Sequence, residues 1–213
     1  MSKKAKNIIV LRHGQSEGNI DKSVYDRIPD YRIQLTQKGR EQAAKAAEHL
    51  AREFEARPVG VYVSPFTRTI QTEEIAARTL NKAFHREDCR LREREWTGRL
   101  QSYNLRSEME KKEYGNFFYR YDGGESCADA AERGYSFKRD LITDMEKKGS
   151  PDDFLIVSHG EKMKLLAKVF CHKTYRDFEK WATPWNCNAY RFKYVGGEFE
   201  WIDGPEKNLE FSR

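Results

Sequence analysis

Histidine closes two nearly matching phrases in this chain, Asn-Ile-Ile-Val-Leu-Arg-His-Gly at 7–14 and Asp-Phe-Leu-Ile-Val-Ser-His-Gly at 153–160. Arg12 sits beside the first histidine, and Arg68 follows another short apolar run in Ser64-Pro65-Phe66-Thr67-Arg68. If these runs are neighbouring strands, His13, His159, Arg12 and Arg68 meet in one small volume. A neutral ligand has no use for two guanidiniums and two imidazoles. A tetrahedral dianion such as a phosphoryl group does, because arginine offers paired donors that match its oxygens and stays charged at working pH. The positive surroundings disfavour a protonated imidazole, so His13 is expected to be neutral and able to attack phosphorus, with a backbone carbonyl fixing its tautomer.

Attack on a phosphomonoester expels an oxygen that needs a proton from a carboxylic acid. Leu91-Arg92-Glu93-Arg94-Glu95-Trp96 supplies two candidates. Glu93 is preferred, and Glu95, on the same face of an extended segment, is the alternative. The negative charge of a bound phosphate should raise the acid's pKa and keep it protonated.

The elements that must position these groups follow from the pattern. Apolar runs bounded by polar residues read as strands buried on both faces of a helix-covered sheet, whose ligand sites lie outside the strands' carboxyl ends. Thr36 caps a helix running to about 55, with Ala43, Ala44, Ala47 and Leu50 at helical spacing. A strand at 59–63 leads to Ser64-Pro65, expected as cap and first-turn proline of a helix over 66–80. A strand-like stretch covers 83–86, and Ser126 with Asp129 resembles a capping box opening a helix to about 148. A strand at 154–157, a helix over 161–170 and strands near 189–194 and 199–202 complete the order. Strands alternating with helices predict an α/β sandwich with a mostly parallel sheet.

Composition narrows the class. The 213 residues suit one domain over 1–213, with a flexible N-terminus at 1–6 and a lid or excursion over 87–125. No apolar run approaches the length of a membrane span, and the first residues lack the apolar core of a signal peptide, so a soluble cytoplasmic protein without a membrane partner is expected. Cys89, Cys127, Cys171 and Cys187 show no CxxC spacing and are read as free thiols. The net charge of +5 is spread over 39 basic and 34 acidic residues, with no tract that would mark a nucleic-acid partner. HExxH and Cys-His spacings are absent, which argues against a metal. His49, His85 and His172 are read as surface or packing residues, and Arg27, Arg32, Arg94 and Arg99 as mostly solvated. The aromatic run at 117–121 is read as core and lid packing, with Arg120 its best candidate for touching substrate.

Taken in order, Leu-Arg-His-Gly-Gln-Ser-Glu-Gly-Asn at 11–19, Leu-Thr-Gln-Lys-Gly-Arg-Glu-Gln-Ala at 35–43, Ser-Pro-Phe-Thr-Arg-Thr-Ile-Gln-Thr at 64–72, Leu-Arg-Glu-Arg at 91–94 and Val-Ser-His-Gly at 157–160 form a specific set. It resembles the histidine phosphatase superfamily, the phosphoglycerate-mutase-like proteins, over about residues 7–195. The resemblance implies a three-layer α/β/α sandwich. It makes His13 the phosphorylated nucleophile, gives Arg12, Arg68 and His159 to phosphoryl binding, makes Glu93 the proton donor, and adds Gln15 and Asn19 as secondary contacts. It implies no metal or organic cofactor.

Gly18 stands where glycolytic mutases of this type usually have Trp, and the chain has little room for their phosphoglycerate-binding insertion, which favours the phosphatase branch. Thr97 stands as an extra residue beside Trp96. The segment 116–126, with Pro29-Asp30-Tyr31, resembles a smaller branch found among plants and fungi. The expected activity is therefore hydrolysis of a small phosphorylated substrate through phosphohistidine. A mutase-type transferase and a non-catalytic phospho-ligand module are the alternatives. Neither the substrate nor the oligomeric state is written in the pattern.

Overall fold

Six strands in the order β3-β2-β4-β1-β5-β6 form one sheet in the computed structural model, which describes residues 5–96 and 105–204. β1 (Lys6–Arg12), β2 (Val59–Val63), β3 (Lys82–Glu87) and β4 (Asp153–Ser158) run parallel. β5 (Ala189–Val195) joins β1 antiparallel, and β6 (Glu198–Asp203) returns along β5 through Gly196 and Gly197, both at positive φ as a two-residue hairpin turn requires. This is the mostly parallel sheet of an α/β/α sandwich.

The strands form because β-branched and apolar residues alternate their side chains across a sheet covered on both faces. Ile8 and Val10 of β1 enter a core with α5 (Cys127–Glu146) and α6 (Gly160–Phe170). Ile9 and Leu11 enter the opposite core, with α2 (Gln37–Phe54) and α3 (Thr67–Ala76). Each such side chain contributes roughly 1.5–3 kcal/mol on burial. Two cores gripping β1 from opposite sides make its end a rigid place from which to present a side chain. α1 (Glu17–Ile20), α4 (Leu105–Tyr114) and α7 (Tyr175–Lys180) complete the described helices.

Thr36 does cap α2, its hydroxyl accepting from the Gly39 amide at 3.0 Å, and Ser126 with Asp129 forms the capping box of α5. The helix after β2 differs from expectation. It spans only Thr67–Ala76, with Phe66 rather than Ser64 in the cap position, the Ser64 hydroxyl being hydrogen-bonded to His159 instead. The N-terminus also differs: β1 already begins at Lys6, whose ammonium donates to the Ser150 and Pro151 carbonyls. Of the excursion over 87–125, residues 97–104, including Thr97 and Arg99, lie outside the described residues, as do 1–4 of the N-terminus. The remainder carries a short 3-10 turn at Cys89–Leu91 and α4. α1 and α7 have no counterpart in the expected order. Arg94, read as solvated, is buried, its Nε 2.9 Å from a Glu161 carboxylate oxygen and its guanidinium over the Tyr121 ring.

Candidate active site

Arg12 and Ser158 are partners in the β1/β4 ladder, so the next residue of each strand, His13 and His159, emerges side by side. Their ring centroids are 5.3 Å apart, close enough to share one small ligand. The backbone around His13 is pinned from two sides. Its amide donates to the Ser158 carbonyl at 3.0 Å, and its carbonyl accepts from the Cys187 amide and the Asn186 side chain. Gly14 then passes so close to α2 that a Cβ there would lie 2.3 Å from the Gly39 carbonyl oxygen, so only glycine fits this crossing.

The two imidazoles are held differently. His13 Nδ1 lies 2.7 Å from the Gly14 carbonyl oxygen. A carbonyl can only accept, so Nδ1 carries the proton and Nε2 keeps its lone pair. Burial, then Arg68 and Arg12, hold the His13 pKa well below its usual value, so the ring is neutral. His159 is fully buried, with Nε2 2.8 Å from the Ser64 hydroxyl. Its Nδ1 finds no protein partner among the described residues, and neither does the buried Nε of Arg12. Burial and the neighbouring Arg68, His13 and Arg12 keep His159 neutral as well. Two unmet buried polar atoms beside two neutral rings are what an incoming oxyanion would satisfy.

The guanidiniums are anchored at one end each. Arg12 donates to the Pro184 carbonyl at 2.6 Å. Arg68, 4% exposed in the first turn of α3, donates through one nitrogen to the backbone and carboxylate oxygens of Asp30, both at 2.7 Å.

Glu93 joins this group through the start of α6. That helix has His159 as its cap residue with no side-chain cap of its own, so its first amides would go unpaired. The Glu93 carboxyl supplies the missing acceptors, taking the Lys162 amide at 3.0 Å and the Glu161 amide at 3.2 Å, with the Arg94 amide at 3.1 Å. Burial, with Glu161 close by, raises its pKa, against the pull of the amides and of Arg68. Glu95 instead faces outward in an ion pair with Arg92 at 3.0 Å. The geometry thus separates the two acid candidates.

The remaining candidates stand further from the centre. Gln15 accepts from the Thr36 hydroxyl, and Asn19 accepts from the Ser16 amide and the Asn186 side chain, so both brace the loop after His13. Arg120 is not drawn into the cluster. It is exposed and paired with Asp129 at 2.6 Å. Residues missed in the sequence include Ser64, Asp30 and Tyr25, whose ring stacks on Trp96 with centroids 6.2 Å apart and whose hydroxyl pKa burial pushes up to about 12. Ser64 carried one readable signal, since it directly follows β2 at the same rim. Asp30 and Tyr25 lie in short 3-10 turns; Asp30 stood only in the branch-like Pro29-Asp30-Tyr31, and Tyr25 carried no signal. Among the described residues no three of His, Cys, Asp and Glu are grouped to hold a metal, and no helix is long and apolar enough to cross a membrane.

A layered α/β fold that gathers two neutral histidines at its sheet rim, with arginines from β1 and α3 beside them, is suited to receive an anion. Comparison with known proteins gives the family: the profile of the histidine phosphatase superfamily (branch 1) matches residues 8–203, and the chain belongs to it. It is 36% identical over 187 residues to the phosphoglycerate mutase-like protein AT74 of Arabidopsis thaliana, covering 80% of this chain and 58% of that protein. The related AT74H of the same plant is 32% identical, covering 92% of this chain and 76% of its own length. The fold is shared with a mycobacterial glucosyl-3-phosphoglycerate phosphatase at TM-score 0.75 and 20% identity, over 95% of this chain and 99% of that one. YhfR of Bacillus stearothermophilus superimposes at TM-score 0.77 and 20% identity, over 97% and 99%.

Proposed function

We propose that this chain hydrolyses phosphomonoesters through a phosphohistidine at His13. The observation that carries the reading is the pairing of His13 and His159 at 5.3 Å with an unpartnered Arg12 Nε and His159 Nδ1 beside them. In the first step the Nε2 lone pair of His13 attacks phosphorus and the ester P–O bond breaks. The leaving oxygen takes its proton from Glu93, whose raised pKa suits that task. In the second step water attacks the phosphorus, Glu93 takes the water's proton, and the N–P bond breaks to restore His13. Arg12, Arg68 and His159 stabilise the charge on the transferring group's other oxygens throughout.

Hydrolysis is favoured over transfer between hydroxyls by the departure at Gly18, where glycolytic mutases carry a larger residue; here the Tyr25 hydroxyl lies 2.6 Å from where that residue's Cβ would start. The substrate class proposed is a small phosphorylated metabolite, handled by a protein free in the cytoplasm. Rapid mixing with a labelled aryl phosphate should yield an acid-labile adduct in the wild type and none in His13→Ala. A labelled His13→Ala protein, or turnover that needs added 2,3-bisphosphoglycerate, would overturn the reading.

A further inference from the structure

Glu93 sits in a stretch, 90–95, that belongs to no strand, so its backbone groups must find partners singly. One side chain from α5 collects three of them. The Arg133 guanidinium donates to the Arg90 carbonyl at 2.8 Å, to the Arg92 carbonyl at 3.3 Å and to the Glu93 carbonyl at 3.4 Å. Its remaining hydrogens go to Glu125, Nε to one carboxylate oxygen at 2.8 Å and Nη2 to the other at 2.6 Å. Glu125 in turn accepts from the Glu95 amide at 3.1 Å, and its own amide donates to the Glu95 carbonyl at 2.8 Å. Arg133 thus grips the segment up to the acid, and Glu125 grips it two residues beyond. Both side chains are largely buried, at 14% and 13% exposure, where solvent screens the pair weakly.

We propose that Arg133, with Glu125 as its counterion, is a positioning residue for the proton donor: the pair fixes the backbone of 90–95 so that the Glu93 carboxyl stays at the pocket rather than turning outward as Glu95 does. The inference rests on the phosphatase reading and adds to it a part that touches neither phosphate nor the reacting atoms. The positioning matters because an acid displaced by about 1 Å loses on the order of a hundredfold in rate. The penalty falls only on chemistry that needs the acid. A leaving group that departs well as an anion does not call on Glu93, whereas an alkoxide does.

The test compares kcat/KM for an alkyl phosphate and for 2,4-dinitrophenyl phosphate in wild type, Arg133→Met, Arg133→Lys and Glu93→Gln. Arg133→Met should lower the alkyl ester by about 10- to 100-fold and the dinitrophenyl ester by less than about threefold, with partial rescue in Arg133→Lys. Adding Arg133→Met to Glu93→Gln should cost less than about twofold more, because both changes disable one function. Should Arg133→Met not fold, Glu125→Gln is read on the same two esters. Equal loss on both esters, or no loss on either, overturns the positioning role while leaving His13 chemistry intact. A wild type that forms no adduct at His13 overturns the phosphatase reading itself, and this inference with it.

Discussion

His13 and His159 directly follow a paired rung, Arg12 and Ser158, on neighbouring parallel strands, whereas Glu93 arrives on a stretch with no ladder at all. Backbone hydrogen bonds along β1 and β4, and two apolar cores pressed against them, place the imidazoles. The carboxyl is placed by single side-chain contacts and by the amides at the start of α6. On the proposed function, the half of the pocket assigned to phosphate is anchored at the sheet's rim with Arg68 added from α3, and the half assigned to the proton is docked onto it. A change in the first half should harm every substrate alike. A change in the second should harm substrates in proportion to their need for a proton.

The largest effect that would break this contrast belongs to His13. His13→Ala should lose at least about four powers of ten in turnover of any ester, since it removes the attacking nitrogen itself. Glu93→Gln comes next, with a loss of roughly a hundredfold to ten-thousandfold on alkyl phosphates and far less on activated aryl phosphates. A uniform loss across both esters would merge the two halves of the pocket into one. Arg68→Ala should cost about a hundred- to a thousandfold in kcat, with little dependence on the leaving group; steady-state kinetics on the same pair of esters checks this.

Smallest is the effect of acid on stability. Both histidines have folded-state pKa values well below 6.5, so below that pH the unfolded chain binds more protons than the folded one. Stability should fall as pH drops below about 6.5, by about 1.4 kcal/mol per pH unit for each histidine, until the folded pKa is reached. Urea midpoints between pH 7.5 and 5.5 should show a shallower slope in His13→Ala; an unchanged slope would mean the ring is not held neutral.

Much of the sheet was legible in the sequence because its residues depend on local pattern. The repeated apolar phrases before His13 and His159, the Thr36 cap and the Ser126 box each depend on residues within a few positions of one another. What was hidden depends on distant partners. Ser64 reads as a helix cap until His159, arriving from β4, takes its hydroxyl. Arg94 reads as a solvated charge until Glu161 meets it inside the protein. On an extended segment Glu93 is preferred over Glu95 without any contact that would separate them; what separates them is the uncapped start of α6. Arg133, in mid-helix, gave no sign of the segment it grips. Arg120, conversely, looked available beside the aromatic run and is tied to Asp129.

If the chain hydrolyses phosphomonoesters as proposed, Asp30 bears on how the pocket lets go of its product. With a carboxylate already seated on one nitrogen of Arg68, inorganic phosphate leaving the pocket does not abandon a bare guanidinium, because a resident counterion remains to share the charge. An anion trap built this way holds its occupant less tightly than its cations alone would suggest, and tight holding of the product contributes nothing to turnover.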